Sequence, residues 1–436
     1  MIVTRVKNAK TAKTLLAGLM IAAASARALA EQQPAPVLRL TFADAIARAI
    51  ARNPTIQGAA AAILRAEGQL QLARAATRLQ INGNVTTTTL NTGVEFQGST
   101  VTPQNQVTAS LTADQPIVAA AAWARRTQAQ DAKTVTELSV EETKRQVAFA
   151  TADAYLAILA QRRVLEGIVR ARDVAKAHFD LAAQLEQRGA GSRLNALRAQ
   201  QQVSINEGFV EVARLGLYRA QEALGVLVAA DEAADAIDEP TFDLPSDAAA
   251  AFERPALQRQ RTDLRLFNAE RQAADRILRD SSKDWWPTLD ALFQPSTTYP
   301  SQFFLPQNTW RFLLQANVPI FDAGTRLGNR TERQAALDQA AATLANATTQ
   351  ASSQVRAARE AVASGERALV SARAAAAQAQ QVVDITNISF RAGAATNIEV
   401  IDAERTARDS DTAVAVAEDT LRRARLELLN AIGRFP

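Results

Sequence analysis

The feature that most restricts this chain is a turn that it makes twice. "LEQRGAGSRLNALRAQ" at 185–200 and "FRAGAATNIEVIDAER" at 390–405 each interrupt a helix-forming stretch with a glycine and then resume a helical pattern. Placing Gly189 on Gly393 brings Ser192 onto Thr396, Leu194 onto Ile398, Leu197 onto Ile401 and Ala199 onto Ala403. The match continues in order along the chain. "ARNPTIQGAAAAI" (51–63) answers "FERPALQRQRTDL" (252–264) through Pro54 and Pro255, and "DQPIV" (114–118) answers "NVPIF" (317–321) through Pro116 and Pro319. An internal duplication of about 200 residues therefore governs the fold, which must be built from one unit used twice.

Each turn closes a long stretch without proline. In the first half the 3,4-spaced positions are Val147, Ala150, Ala154, Ala157, Gln161, Val164, Ile168, Ala171, Ala175, His178, Ala182 and Leu185. In the second they are Val355, Ala358, Val362, Gly365, Leu369, Ala372, Ala376, Ala379, Val383, Thr386 and Phe390. These read as sustained coiled-coil seams whose small residues let helices approach closely. A helix from about 121 to 187 would rise ~1.5 Å per residue, about 100 Å in all. Gly189 and Gly393 supply the positive φ that ends such a helix, so the turns read as the far tips, near 188–192 and 391–396, of two long helical hairpins.

Ahead of each hairpin lies a pair of strands. "QVTASLTADQPI" (106–117) alternates Val107, Ala109, Leu111 and Ala113 with polar residues, and "WRFLLQANVPI" (310–320) puts Trp310, Phe312, Leu314, Ala316, Val318 and Ile320 on one face. Weaker partners occupy about 80–90 and 288–294, and the intervening 90–105 and 295–309 read as loops. Trp123, Trp285, Trp286 and Trp310 gather at the strand ends, as interfacial aromatics do in membrane strands. Four strands of a soluble sheet, one face buried, is the plainer alternative. If the strands cross a membrane, four are too few to close a barrel, and chains must pool them; three copies would give twelve.

The ends and the middle follow from charge. Arg5, Lys7, Lys10 and Lys13, then "LLAGLMIAAA" (15–24) and Ala28-Leu29-Ala30, have the layout of a secretory signal peptide over 1–30. The two repeats are then 31–228 and 251–436, with 229–250 between them. Residues 229–249 hold seven acids, two prolines and no base, and are expected to be an exposed acidic linker. Of 49 Lys and Arg, five lie within 1–30, leaving 44 against 45 acids, so no nucleic-acid binding is read from the basic isoelectric point. With no cysteine and a single histidine, His178, expected to be an ordinary surface or seam residue, neither a catalytic triad nor a thiolate metal site can be assembled. Hydrolytic chemistry using carboxylates alone stays open in principle, but nothing marks an acid pair for it, and no cofactor is expected.

These segments in this order resemble the TolC-like outer membrane efflux proteins. The resemblance is carried by "LTFADAIARAIARNPTIQGAAAAI" (40–63), the prolines at 116 and 319, "RPAL" (254–257) and "RAGAATNIEVIDAER" (391–405), and it covers essentially all of 31–436. It implies a mainly α fold with a membrane β portion: a homotrimer in which a 12-stranded β-barrel in outer membrane lipid continues into a 12-helix periplasmic α-barrel. It further implies a passive exit duct that docks to a periplasmic adaptor and an inner-membrane pump, and hence a chain that is no enzyme. At the aperture the resemblance places acidic rings at Glu399 and Asp402. Its latch positions fall on Phe390, Ala395 and Asn195, where the family's tyrosine, arginine and acid are replaced, so closure is expected to rest on tip packing. The adaptor contact would use Arg188, Gly189, Ser192, Arg391, Gly393 and Thr396. A secreted coiled-coil adaptor or scaffold without a pore would explain the leader and the seams, but has no use for two alternating hairpins with aromatic ends.

Overall fold

The computed structural model describes residues 37–243 and 254–435. The expected leader at 1–30 and residues 244–250 of the expected linker lie outside the described residues. The elements follow the duplication. The first repeat runs β1 (Leu38–Leu40), α1 (Phe42–Arg52), α2 (Pro54–Ala75), β2 (Gln80–Thr89), β3 (Val94–Phe96), β4 (Ser99–Thr102), β5 (Asn105–Val118), α3 (Ala120–Gln187) and α4 (Arg193–Leu227). After β6 (Ala234–Ala236) the second runs α5 (Arg254–Gln260), α6 (Thr262–Arg279), a 3-10 turn (Asp280–Trp285), β7 (Thr288–Tyr299), β8 (Asn308–Asn317), α7 (Thr325–Arg391) and α8 (Asn397–Ala431).

The long helices form a slab in the order α4, α3, α8, α7, with α3 and α8 in the middle and α4 and α7 at its edges. At 68 and 67 residues, α3 and α7 are each about 100 Å long. The expected seam of α7 is buried at Val355, Ala358, Val362, Gly365, Leu369, Ala379 and Val383. That of α3 holds only toward the tip, at Ala175, His178 and Ala182. Further up, the deeply buried residues are Ala148, Thr151, Ala152, Tyr155, Leu156, Ile158 and Leu159, while Ala150 is exposed. The cause is the number of neighbours. There α3 meets α1, α4, α8 and β6 together, so a broad face is covered in place of one 3.5-residue stripe.

This enclosed stretch is the main core, where Leu40, Ile46, Leu156, Leu224, Val228 and Phe435 pack around Tyr155. The Tyr155 hydroxyl donates to the Asp238 carboxylate and accepts from the backbone N–H groups of Ile237 and Asp238, each at 3.1 Å. The expected exposed linker is therefore corrected over 229–243. There β6 pairs in parallel with β1, and Ala233, Ala234 and Ala236 are buried. Its acids are partners of the core: Asp235 takes Arg162 at 2.7 Å, and Glu239 takes Arg163 at 2.6 Å and Arg422 at 2.8 Å. The acidic run supplies counter-ions to arginines of α3 and α8, a use that composition cannot distinguish from solvation.

The four long strands form one antiparallel sheet in the order β2-β5-β7-β8. Pro116 sits at a bulge in the β5–β7 ladder. Two of the expected strand limits are corrected. β7 continues through Pro295 to Tyr299, because the missing N–H falls where Gln294 and Pro295 are unpaired with β5. β8 ends at Asn317, which leaves Val318 and Ile320 outside it. The segment 90–105 also carries the small β3–β4 hairpin.

Candidate functional site: a two-faced sheet and the hairpin tips

Register decides what the sheet can do. Val85 lies opposite Ala109, Gly83 opposite Leu111, Ala113 opposite Phe293 and Phe293 opposite Phe312. With a side-chain period of two, Ile81, Val85, Val107, Leu111, Phe293, Trp310, Phe312 and Leu314 fall on one face. All eight are exposed. The other face carries Asn82, Asn84, Thr86, Ser110, Thr112, Gln294, Arg311 and Gln315. Among the described residues no core covers either face. In water an apolar area of this size is unfavourable, at roughly 25 cal/mol per Å². One apolar and one polar face, neither packed, is the pattern that the strands of a membrane β-barrel require.

The aromatics gather at the two ends of the sheet. Trp123 lies in the first turn of α3, and Trp285 and Trp286 lie just ahead of β7; all three are exposed where strands meet helices. Trp310, at 72% exposure, lies near the loop end of β8 with Tyr299, Phe303 and Phe304 beyond it. Arg326 is anchored in the same belt. Its guanidinium lies 4.0 Å from the centre of the Trp285 ring and its Nε donates to Asp322 at 2.6 Å. Among the described residues no helix is long and apolar enough to cross a membrane.

At the opposite end of the slab the two tips repeat one geometry. Gly189 (φ +72°) and Gly393 (φ +76°) adopt the left-handed conformation. The N–H groups of Ala190 and Gly191 both reach the Leu185 carbonyl at 2.9 Å, and those of Ala394 and Ala395 reach the Ser389 carbonyl at 2.8 and 3.3 Å. Ser192 caps α4 by accepting from Asn195 N–H. Thr396 caps α8 with a reciprocal box, in which Glu399 accepts from Thr396 N–H at 2.6 Å. That backbone hydrogen bond holds the Glu399 carboxyl below the ordinary carboxylate range. Arg188 and Arg391 are exposed and make no ion pair among the described residues.

The expected gate positions separate. Ala395 lies with Glu399 and Asp402 in a groove of the second hairpin beside Ile385 and Ser389. Phe390 and Asn195 lie instead where the two hairpins meet. The Phe390 ring is 5.3 Å from the imidazole of His178. His178 Nε2–H donates to Asn397 Oδ1 at 2.7 Å, and Asn397 Nδ2 donates to the Asn195 carbonyl at 3.3 Å. His178 is thus a buried seam residue, and burial lowers its pKa below the ordinary histidine value. Sequence reasoning did not single out Asn397 or, one heptad on, Glu404. Both lie on the buried side of α8, and a polar residue at a seam position of that heptad was the available signal. Among the described residues no cluster of His, Asp or Glu could hold a metal ion.

The outer membrane efflux protein family model matches residues 45–229 and 254–434, and the chain belongs to that family. It is an outer membrane protein with a large periplasmic part, and its family is one of transport channels. Solved structures share the fold. The outer membrane protein VceC of Vibrio cholerae is 17% identical, with a TM-score of 0.77 over 90% of this chain and 96% of its own. The Campylobacter jejuni outer membrane channel CmeC is 15% identical at 0.78 over 90% and 86%, and the open-state Neisseria gonorrhoeae channel MtrE is 17% identical at 0.73 over 90% and 88%. Among curated proteins none matches the chain by sequence.

Proposed function

We propose that three copies of this chain close into a tube, a twelve-stranded barrel in the outer membrane continued by twelve periplasmic helices, and that the tube is the passive exit duct of an efflux or type I secretion system. The observation that carries this reading is a sheet with two unpacked faces and two free edges, β2 and β8, joined to a slab with two free edges of its own. A strand edge in lipid leaves backbone groups unsatisfied, each at a cost of roughly several kcal/mol, so the edges must be paired. The slab edges are apolar as well. α4 exposes Leu194, Leu197, Ile205, Val212 and Leu215, and α7 exposes Val382, Ile385 and Ile388. An edge of one kind meeting an edge of the other is a heterologous contact, which gives a ring when its rotation closes, here after three copies.

In this assembly the tips face the periplasm. Arg188–Ser192 and Arg391–Thr396 form the docking surface for a periplasmic adaptor that links the duct to an inner-membrane pump. Glu399 and Asp402 would each recur three times around the aperture, a field that concentrates cations. With Phe390 and Asn195 engaged inside one protomer, closure rests on tip packing. Single-channel recording in a planar bilayer tests the reading. Discrete conductance, blocked by multivalent cations and unblocked by Glu399→Gln with Asp402→Asn, is expected. A soluble, non-conducting monomer would contradict it. Charge reversal at Arg188 and Arg391 should weaken crosslinking to the adaptor.

A further inference from the structure

Some 11 residues above Gly393, the two hairpins enclose a cavity of about 160 Å³ between α3, α4, α7 and α8. It is large enough for several waters. Glu404 of α8 lines it at 9% exposure, and neither carboxyl oxygen has a hydrogen-bond partner. A buried, unpartnered carboxylate is too costly to persist, so the group either holds a proton or recruits a cation. The charged groups facing it are Arg170 from α3 and Arg408 and Asp411 from α8; α4 contributes only Gln202 and Asn206, and α7 only Gln380. Among the described residues none of them hydrogen-bonds to the Glu404 carboxyl.

Arg408 already has other work. Its Nε and Nη2 donate to the neighbouring Asp409 carboxylate at 3.0 and 2.7 Å, its Nη1 donates to Asn206 Oδ1 at 3.2 Å, and Asn206 Nδ2 donates to the Ala171 carbonyl at 3.4 Å, so the Nη1 arm ties α8 to the first hairpin. Its guanidinium also lies 5.1 Å from the centre of the Phe209 ring on α4. Arg408 stands four residues after Glu404 on the same helix, the spacing at which an acid followed by a base pairs best.

We propose that Glu404 is a proton-operated release for the contact between the two hairpins: neutral, it packs in the seam, and ionised, it draws Arg408 off Asn206 and frees α8 from α4. The proton leaves to solvent through the cavity mouth, and water enters with the new charge. Burial raises the Glu404 pKa to about 7, so the change falls where the pH outside a cell varies. At the tip junction burial lowers the His178 pKa below the ordinary histidine value, which favours the neutral ring. The change in hairpin contact follows from the packing alone. Its consequence for conduction, a duct more readily opened above neutral pH, rests on the channel reading.

Hydrogen exchange on the detergent-solubilised full chain tests this, with wild type and Glu404→Gln compared at the same pH so that intrinsic rates cancel. At about pH 8.5 the amides of 397–411 should exchange on the order of tenfold faster in wild type than in the variant. At about pH 5.5 the two should agree. Equal rates at both values would overturn the proposal. If Glu404→Gln does not fold, Arg408→Gln decides: it should exchange fast at both values, and a pH response as large as that of wild type would overturn the proposal. Bilayer recording of the same samples separates the two readings. An exchange difference without conductance at any pH keeps the release and removes the duct. Conductance with no exchange difference removes the release alone.

Discussion

The two helical hairpins come from one duplicated unit and are used differently. The first carries the enclosed helix. Along its middle, α3 is covered by neighbours on several sides, and its buried residues include Tyr155, Leu156 and Ile158, all essentially inaccessible. Its counterpart in the second is a slab edge: α7 buries one seam and leaves Ile385, at 64% exposure, and Val370, Val382 and Ile388 uncovered. Duplication therefore fixes the path of the chain and leaves the burial pattern to the neighbours that each copy acquires. An enclosed helix holds the protomer together, and an edge helix is available to the next copy.

The largest effects should separate these roles. Leu156→Ala in the enclosed helix α3 should cost about 2–5 kcal/mol in thermal unfolding of the solubilised protein, as burial and a new cavity dictate. Ile385→Glu on the edge should leave the protomer's helical content intact and lower the fraction of assembled particles on size exclusion. Equal loss of fold from both would break the distinction.

The seam buried between the hairpins comes next. Glu404 has a folded pKa of about 7 against an ordinary 4.5, so folding favours its protonated form. The resulting stability is complete below about pH 4.5 and is lost as pH rises through about 7. Glu404→Gln should thus stabilise the protein by up to about 3 kcal/mol at pH 8 and by almost nothing at pH 4. Chemical unfolding at the two pH values measures the difference, and a gain independent of pH would point to packing in place of charge.

Smaller effects sharpen the comparison of the tips. Gly189→Ala and Gly393→Ala should each cost about 1 kcal/mol, because both glycines hold positive φ and have open space around them. At the aligned pair Gly191 and Ala395 the tips should differ. A Cβ at 191 would come within 2.9 Å of Leu185 Cβ, whereas the second tip, with its longer 3.3 Å hydrogen bond, already accommodates an alanine. Gly191→Ala should therefore lower the melting temperature measurably, and Ala395→Gly should barely change it.

Much of this was legible in the sequence, for identifiable reasons. The tips could be read because a glycine at positive φ and a capping threonine act locally, and the strand faces because alternation has a period of two. The seam of α7 could be read because a helix with one main partner obeys one periodicity. The seam of α3 could not, since contacts with four elements overwrite it. The acidic segment misled because Asp235, Asp238 and Glu239 find their partners more than seventy residues away along the chain. Glu404 was missed for a related reason: its carboxyl is unusual only in what surrounds it.

The central claim is that the free edges of sheet and slab are closed by further copies of the same chain. Its most direct test is the native mass of the detergent-solubilised protein. Particles of three chains, intact in wild type and reduced to single chains by Ile385→Glu, are predicted. A monodisperse single chain in wild type, with the apolar sheet face covered by detergent alone, would contradict it.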